Sequence, residues 1–286
     1  MKNAYKSLVV LLMLSSIVAC NNSNDSGMDP MEDSTVVDEE TPMDLLVGED
    51  VSYSTESTNM NGYKVHSKNF EGKRPGIIVV HEWWGHNDYV RNRADKLAEL
   101  GYTAIAIDMY GEGAQAKHPL DAGKFSNMVM SNIDEAQDRF EAALETLKKD
   151  PTVDTNQIAA IGYCFGGSVA LTMANAGFDL DAVAAFHSGV DLPIMPNENL
   201  KARVLVCNGE DDPFVKQESA VKYKEALATT GVKYKYIDYP GAVHAFTSKA
   251  ADSLGKKFDL PLAYNLDADE QSWEELKSML SEVFNK

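Results

Sequence analysis

The run Gly76-Ile77-Ile78-Val79-Val80 constrains the fold more than any other stretch of the chain. A β-branched run between turn signals has no polar face to offer water, so it belongs to a strand covered on both sides. That requires a parallel sheet with helices above and below. The remaining pattern agrees: helix at about 89–100, strand at 104–107, a long helix at about 126–148, strand at 157–161 and a helix after Gly166. Further strands fit 182–186, 204–207 and 233–239, with helices near 217–229 and 270–284, and strand-like stretches at 51–56 and 63–67 precede the series. Strands alternating with helices predict βαβ units in one mostly parallel open sheet with helices on both faces, an α/β class.

The N-terminus is built differently. Lys2 and Lys6 precede an apolar run of about 11 residues, Leu8 to Val18, followed by Ala19 and Cys20. This is the order of an export signal, and the run is shorter than the roughly 20 residues that span a bilayer. Ile17-Val18-Ala19-Cys20 resembles a bacterial lipobox, so residues 1–19 are expected to be a lipoprotein signal peptide and Cys20 the lipidation site. The expected localisation is the bacterial cell envelope, with the lipid bilayer as partner through acylated Cys20. Residues 20–50 hold ten Asp or Glu and no Lys or Arg. They lack apolar periodicity, which predicts a disordered acidic tether and a folded domain over 51–286. A net charge of −18 argues against nucleic acid as a partner, because phosphate backbones are held by Lys and Arg.

Chemistry enters at the strand 157–161, which runs into Gly162-Tyr163-Cys164-Phe165-Gly166-Gly167 and then a helix-forming stretch. G-x-C-x-G between strand and helix is the pattern of a nucleophile elbow, in which a strained turn lifts the nucleophile above the sheet. Cys164 is therefore the candidate nucleophile. An elbow calls for an acid after a later strand and a histidine after the last one. Strand 204–207 leads to Asp211, Asp212 and Pro213, and strand 233–239 leads to the turn carrying His244. Asp211 and Asp212 compete for the acid, and Pro213 favours Asp212. Cys164 and Cys207 are not expected to form a disulfide, since one sits on the elbow and the other ends a core strand.

Together with Val80-His81-Glu82-Trp83-Trp84-Gly85 and Asp108-Met109-Tyr110-Gly111, these patches make residues 51–286 resemble the dienelactone hydrolase family. The resemblance implies the α/β-hydrolase fold and a carboxylic ester hydrolase of the carboxymethylenebutenolidase type, acting through a Cys-His-Asp triad on a small-molecule ester or lactone. It further implies that Glu82 pairs with the resting thiol and helps pass its proton on. The oxyanion hole would use the backbone N–H groups of Phe165 and Trp83. Trp84, His86, Tyr110 and His118 are expected around the substrate pocket, with residues 111–127 as a lid.

The sequence also departs from the family. The arginines by which such enzymes hold the substrate carboxylate have no counterpart in Gly111-Glu112-Gly113-Ala114 or Ala245-Phe246-Thr247-Ser248. A neutral ester or lactone fits better than dienelactone itself. No metal-ligand spacing occurs among the histidines, and no cofactor is expected. The competing readings are a surface binding lipoprotein on the same fold and a peptidase or larger-substrate esterase.

Overall fold

The computed structural model describes residues 45–284. The expected signal peptide, Cys20 and all but the end of the acidic tether lie outside the described residues.

The eight strands are β1 (Leu46–Ser54), β2 (Asn59–Ser67), β3 (Arg74–Val80), β4 (Thr103–Ile107), β5 (Val153–Tyr163), β6 (Ala182–Phe186), β7 (Arg203–Gly209) and β8 (Tyr234–Tyr239). They form one sheet in the order β1-β2-β4-β3-β5-β6-β7-β8. The β1–β2 and β2–β4 pairs are antiparallel and the remaining pairs parallel. The helices are α1 (Asp88–Glu99), α2 (Pro119–Ser131), α3 (Ile133–Lys148), α4 (Phe165–Ala176), α5 (Gln217–Thr230), α6 (Ala251–Phe258) and α7 (Leu266–Phe284).

The period of two along each strand divides the core into two layers. Ile78, Val80, Ile105, Ala160, Val183 and Val206 face one side, where they pack with Phe140 of α3, Leu171 of α4 and Tyr223 of α5. Ile77, Val79, Ala104, Ile161, Ala184 and Leu205 face the other, against Leu97 of α1 and Leu280 of α7. All seven residues of β3 are buried, as a strand with helices on both faces requires. Each such aliphatic side chain contributes about 1.5–3 kcal/mol by leaving water.

Three expectations are corrected. The domain begins at Leu46, ahead of the expected start at Val51, because the supposed end of the tether pairs with β2 from Leu46↔Ser67 onward. The long helix predicted over 126–148 is two helices. Asn132, at φ −124° and ψ 78°, leaves helical geometry and separates α2 from α3, with its backbone N–H closing α2 onto the Val129 carbonyl. Helix α6 was not anticipated, and α7 starts at Leu266 instead of Glu270. The segment expected as a lid, 111–127, is a loop running into α2.

The turn after β4 shows why Asp108 stands in its motif. Its carboxylate accepts hydrogen bonds from the backbone N–H groups of Tyr110, Gly111, Gly113 and Asn61. Arg139 of α3 donates to the Met109 and Tyr110 carbonyls from the other side. The Asp-x-Tyr-Gly patch is thus a scaffold that sets the wall beside the elbow.

Candidate active site

Cys164 joins β5 to α4 with φ 55° and ψ −121°. Such backbone strain costs on the order of 1–3 kcal/mol and persists only where the surroundings enforce it. Here the enforcement is close packing. A Cβ on Gly162 would overlap the Gly166 carbonyl, and one on Gly166 would overlap the Val80 and His81 carbonyls. The glycines let α4 start against the end of β3, and the turn presents the thiol at the carboxyl edge of the sheet, where open α/β sheets bind ligands.

The other two partners arrive by the same device. β7 ends at Gly209, where a Cβ would overlap the Ala242 carbonyl, so the loops after β7 and β8 touch. Asp212 Oδ2 lies 2.7 Å from His244 Nδ1, and Asp212 Oδ1 accepts from the Phe214 N–H at 2.8 Å. A carboxylate can only accept, so Nδ1 carries the proton. His244 Nε2 is left facing Cys164 Sγ at 3.1 Å. Asp212 is buried and Asp211 exposed, which decides between them. Burial works against a charge on His244, but the adjacent Cys164 sulfur and the Asp212 carboxylate outweigh it and raise its affinity for a proton. The histidine is thus held ready to carry a proton beside the sulfur.

A second group of residues, missed in the sequence, packs behind His244. His187, immediately after β6, is fully buried, and its ring stands edge-on to that of His244 with centroids 5.3 Å apart. Its Nε2 lies 2.7 Å from Thr247 Oγ1, which also contacts the Tyr89 hydroxyl at 2.5 Å. Arg93 donates to the Thr247 carbonyl and to Asp269. Burial, then the positive His244 and Arg93, push the His187 pKa well below its ordinary value. A neutral ring therefore faces the charged one. The signal available was the position of His187 at a strand's carboxyl end.

Phe165 is the first residue of α4, where backbone N–H groups have no intrahelical acceptor. Trp83 lines the same cavity as Cys164, and its carbonyl accepts from the Tyr110 hydroxyl at 2.9 Å, which holds that peptide. The cavity has a volume of about 590 Å³ and is bounded by Met130 of α2, Leu192, Phe214 and Leu262 besides the triad region.

The remaining pocket expectations are corrected. Tyr110 backs the wall, its ring packed on His81, Phe125 and Phe165. Trp84 turns away to stack on Phe258 and join Ala116 and Ala122, clamping α2 against α6. His86 is buried in the loop away from the cavity lining. His118 caps α2, with Nδ1 accepting from the Leu120 N–H. Its ring rests on Phe258. Trp84, Tyr110 and His118 are drawn out of the cleft by an aromatic partner or a helix end that sequence spacing does not display.

Glu82 is the other correction. The sulfur lies 3.1 Å from His244 Nε2, and among the described residues no hydrogen bond runs from the thiol to the Glu82 carboxylate. The Glu82 carboxyl is nevertheless buried, and burial raises its pKa to about 7 against the opposing pull of His244 and Arg93. Cys164 and Cys207 are both free. Burial pushes the Cys207 thiol up to about 12, which makes it inert. Among the described residues no group of His, Cys, Asp and Glu is arranged to hold a metal ion, and no helix is long and apolar enough to cross a membrane.

A parallel sheet crested by a strained elbow, with acid and histidine on the loops after later strands, defines an α/β-hydrolase. The profile of the dienelactone hydrolase family matches residues 60–284. Protein usf of Aquifex pyrophilus is 28% identical over 225 residues, covering 77% of this chain and 96% of its own. A putative carboxymethylenebutenolidase of Aquifex aeolicus is 28% identical over 214 residues, 73% of this chain and 90% of its own. The crystal structure of a dienelactone hydrolase-like promiscuous phosphotriesterase, P91, from metagenomic libraries superposes with a TM-score of 0.78 and 31% identity, covering 84% of this chain and 99% of that one. The chain belongs to the dienelactone hydrolase family.

The raised pKa of Glu82 has a consequence for stability. A carboxyl that ionises near 7 when folded and near 4.5 when unfolded leaves the unfolded state with fewer protons between those values. Its contribution to stability is fully present below about pH 4.5 and is lost as pH rises through 7. Glu82→Gln should therefore stabilise the fold at pH 8 by on the order of 2 kcal/mol relative to its effect at pH 4.5. Urea unfolding of both proteins at the two pH values checks this, and an equal difference at both would contradict it.

Proposed function

We propose that the protein hydrolyses small esters or lactones that carry no carboxylate, through a thioester on Cys164, and that it does so as a lipoprotein held at the bacterial envelope by acylated Cys20. The observation that carries the catalytic part is the unbroken chain from Cys164 Sγ through His244 to Asp212, with spacings of 3.1 and 2.7 Å, at the base of an apolar cleft. Membership of the family makes the protein a carboxylic ester hydrolase. A cavity of about 590 Å³ suits a small molecule better than a folded chain. No Lys or Arg lines it among the described residues, which disfavours a carboxylate-bearing substrate.

In the first half-reaction the thiolate attacks the acyl carbon, forming the C–S bond while the carbonyl π pair moves onto oxygen. The Phe165 and Trp83 amides receive that oxyanion. Collapse of the tetrahedral intermediate breaks the C–O bond, and the imidazolium of His244 gives its proton to the departing alkoxide. In the second half, neutral His244 takes a proton from water, whose oxygen bonds to the acyl carbon. The C–S bond breaks, the carboxylic acid leaves and the thiolate–imidazolium pair is restored. Asp212 keeps the imidazole in the tautomer that both halves require. His187 and Thr247 hold its ring from behind. Glu82 takes no proton in this scheme and shapes the field around the pair.

A panel of p-nitrophenyl esters and small lactones tests the catalytic reading. Cys164→Ala should lose turnover by at least about 10³-fold, and Asp212→Asn by about 10³–10⁴-fold, with circular dichroism unchanged. Wild-type turnover by Cys164→Ala would overturn it. No turnover of any ester or lactone by the wild type would favour the binding-protein reading.

The lipoprotein part rests on Lys2, Lys6, the apolar run and Ile17-Val18-Ala19-Cys20. Labelled palmitate should enter the wild type and not Cys20→Ala. Equal membrane recovery of both proteins would reject the anchor.

A further inference from the structure

The chain leaves β6 through His187-Ser188-Gly189 and then runs along the rim of the catalytic cavity as Val190-Asp191-Leu192. Three attachments fix this course. The Ser188 N–H donates to Asn208 Oδ1, Ser168 Oγ donates to the Gly189 carbonyl, and Asn175 Nδ2 donates to the Ile194 carbonyl. Val190 and Leu192 are buried on either side, while Asp191 is exposed and borders the cavity.

Asp191 is the only Asp, Glu, Lys or Arg in the cavity lining among the described residues. It takes part in none of the ion pairs that the described acidic residues form. Asp191 and Phe214 also border an adjoining hollow of about 120 Å³ that carries Lys216, with which Asp191 forms no ion pair. Near Asp191 the cavity carries Phe214, whose ring is 49% exposed although one edge contacts His244 with centroids 5.0 Å apart. Trp83 also lines the cavity. One unpaired carboxylate beside the part-exposed Phe214 and Trp83 is the composition that attracts a substituted ammonium, through charge and cation–π attraction together. The same carboxylate repels an anionic substrate, in a protein that is already at −18.

We infer that Asp191 is a specificity-determining residue which, with Phe214, selects esters carrying a positively charged alkylammonium group. The inference rests on the esterase reading above and names its substrate class. The acyl chemistry is that of any ester. The ammonium supplies binding in the rim, away from the sulfur.

Matched ester pairs separate charge from shape. Choline butyrate and 3,3-dimethylbutyl butyrate place the cation or its carbon isostere in the alcohol. The p-nitrophenyl esters of 4-(trimethylammonio)butyric acid and 5,5-dimethylhexanoic acid place it in the acyl group. At low ionic strength the cationic member of one pair should show about fivefold higher kcat/KM, the worth of a partly exposed charge with an aromatic neighbour. The ratio should shrink in high salt and fall to near one in Asp191→Asn. Equal rates for both members of both pairs in the wild type, or a preference that survives in Asp191→Asn, would overturn the inference while leaving the esterase reading intact. Failure of every neutral ester as well would overturn both.

Discussion

Cys164 occupies a backbone conformation that an L-residue holds only under constraint, and most of the site follows from how that constraint is met. The turn is pressed from three sides: by Gly166 against the end of β3, by Gly162 beneath it, and by its own N–H bonded to the Phe186 carbonyl of β6 at 2.9 Å. These contacts require the parallel order β3-β5-β6 at the centre of the sheet. The helical core on both faces therefore does more than stabilise the fold. It holds the sulfur at a point from which only the loops after β7 and β8 are needed to complete a proton path.

Strain recurs around that point. His187 at φ 40° and Ala245 at φ 61° flank His244 in the same left-handed region. Their cost is offset by a buried network in which Arg93 ties α1 to the Thr247 carbonyl and to Asp269 of α7. Two helices on one face of the sheet thus hold the loop that carries His244, and the neutral ring of His187 leaves Asp212 as the one charged partner on that side of it. The electrostatics favour a proton on His244 beside the sulfur.

Much of this was legible in the sequence, for identifiable reasons. The buried run at 76–80 announced a two-faced sheet, and glycines flanking Cys164 announced an elbow, because both are local patterns with one physical cause. His244 followed from strand order, and Asp212 from strand order together with Pro213. The second rank of residues was hidden because it is assembled across distances that spacing does not encode, as when Tyr89, His187 and Thr247 meet around one hydroxyl. The pocket wall failed for a related reason. Trp84 and His118 stand in the right loops, but Phe258, from the unanticipated helix α6, draws both out of the cleft. Asn132 broke a helix whose periodicity continues through it. The carboxylate-binding arginines, by contrast, were missing from the motif itself, and among the described residues the cavity lining contains none.

The central claim is that the acyl group passes through the Cys164 sulfur. It is tested most directly by acid-quenching the protein during turnover of a p-nitrophenyl ester and mapping the acyl adduct by peptide mass spectrometry. The account predicts an adduct of the acyl mass on the peptide containing Cys164, labile to hydroxylamine as a thioester is, and absent from Cys164→Ala. Turnover with the adduct on another residue, such as the Ser168 hydroxyl that borders the same cavity, would contradict it.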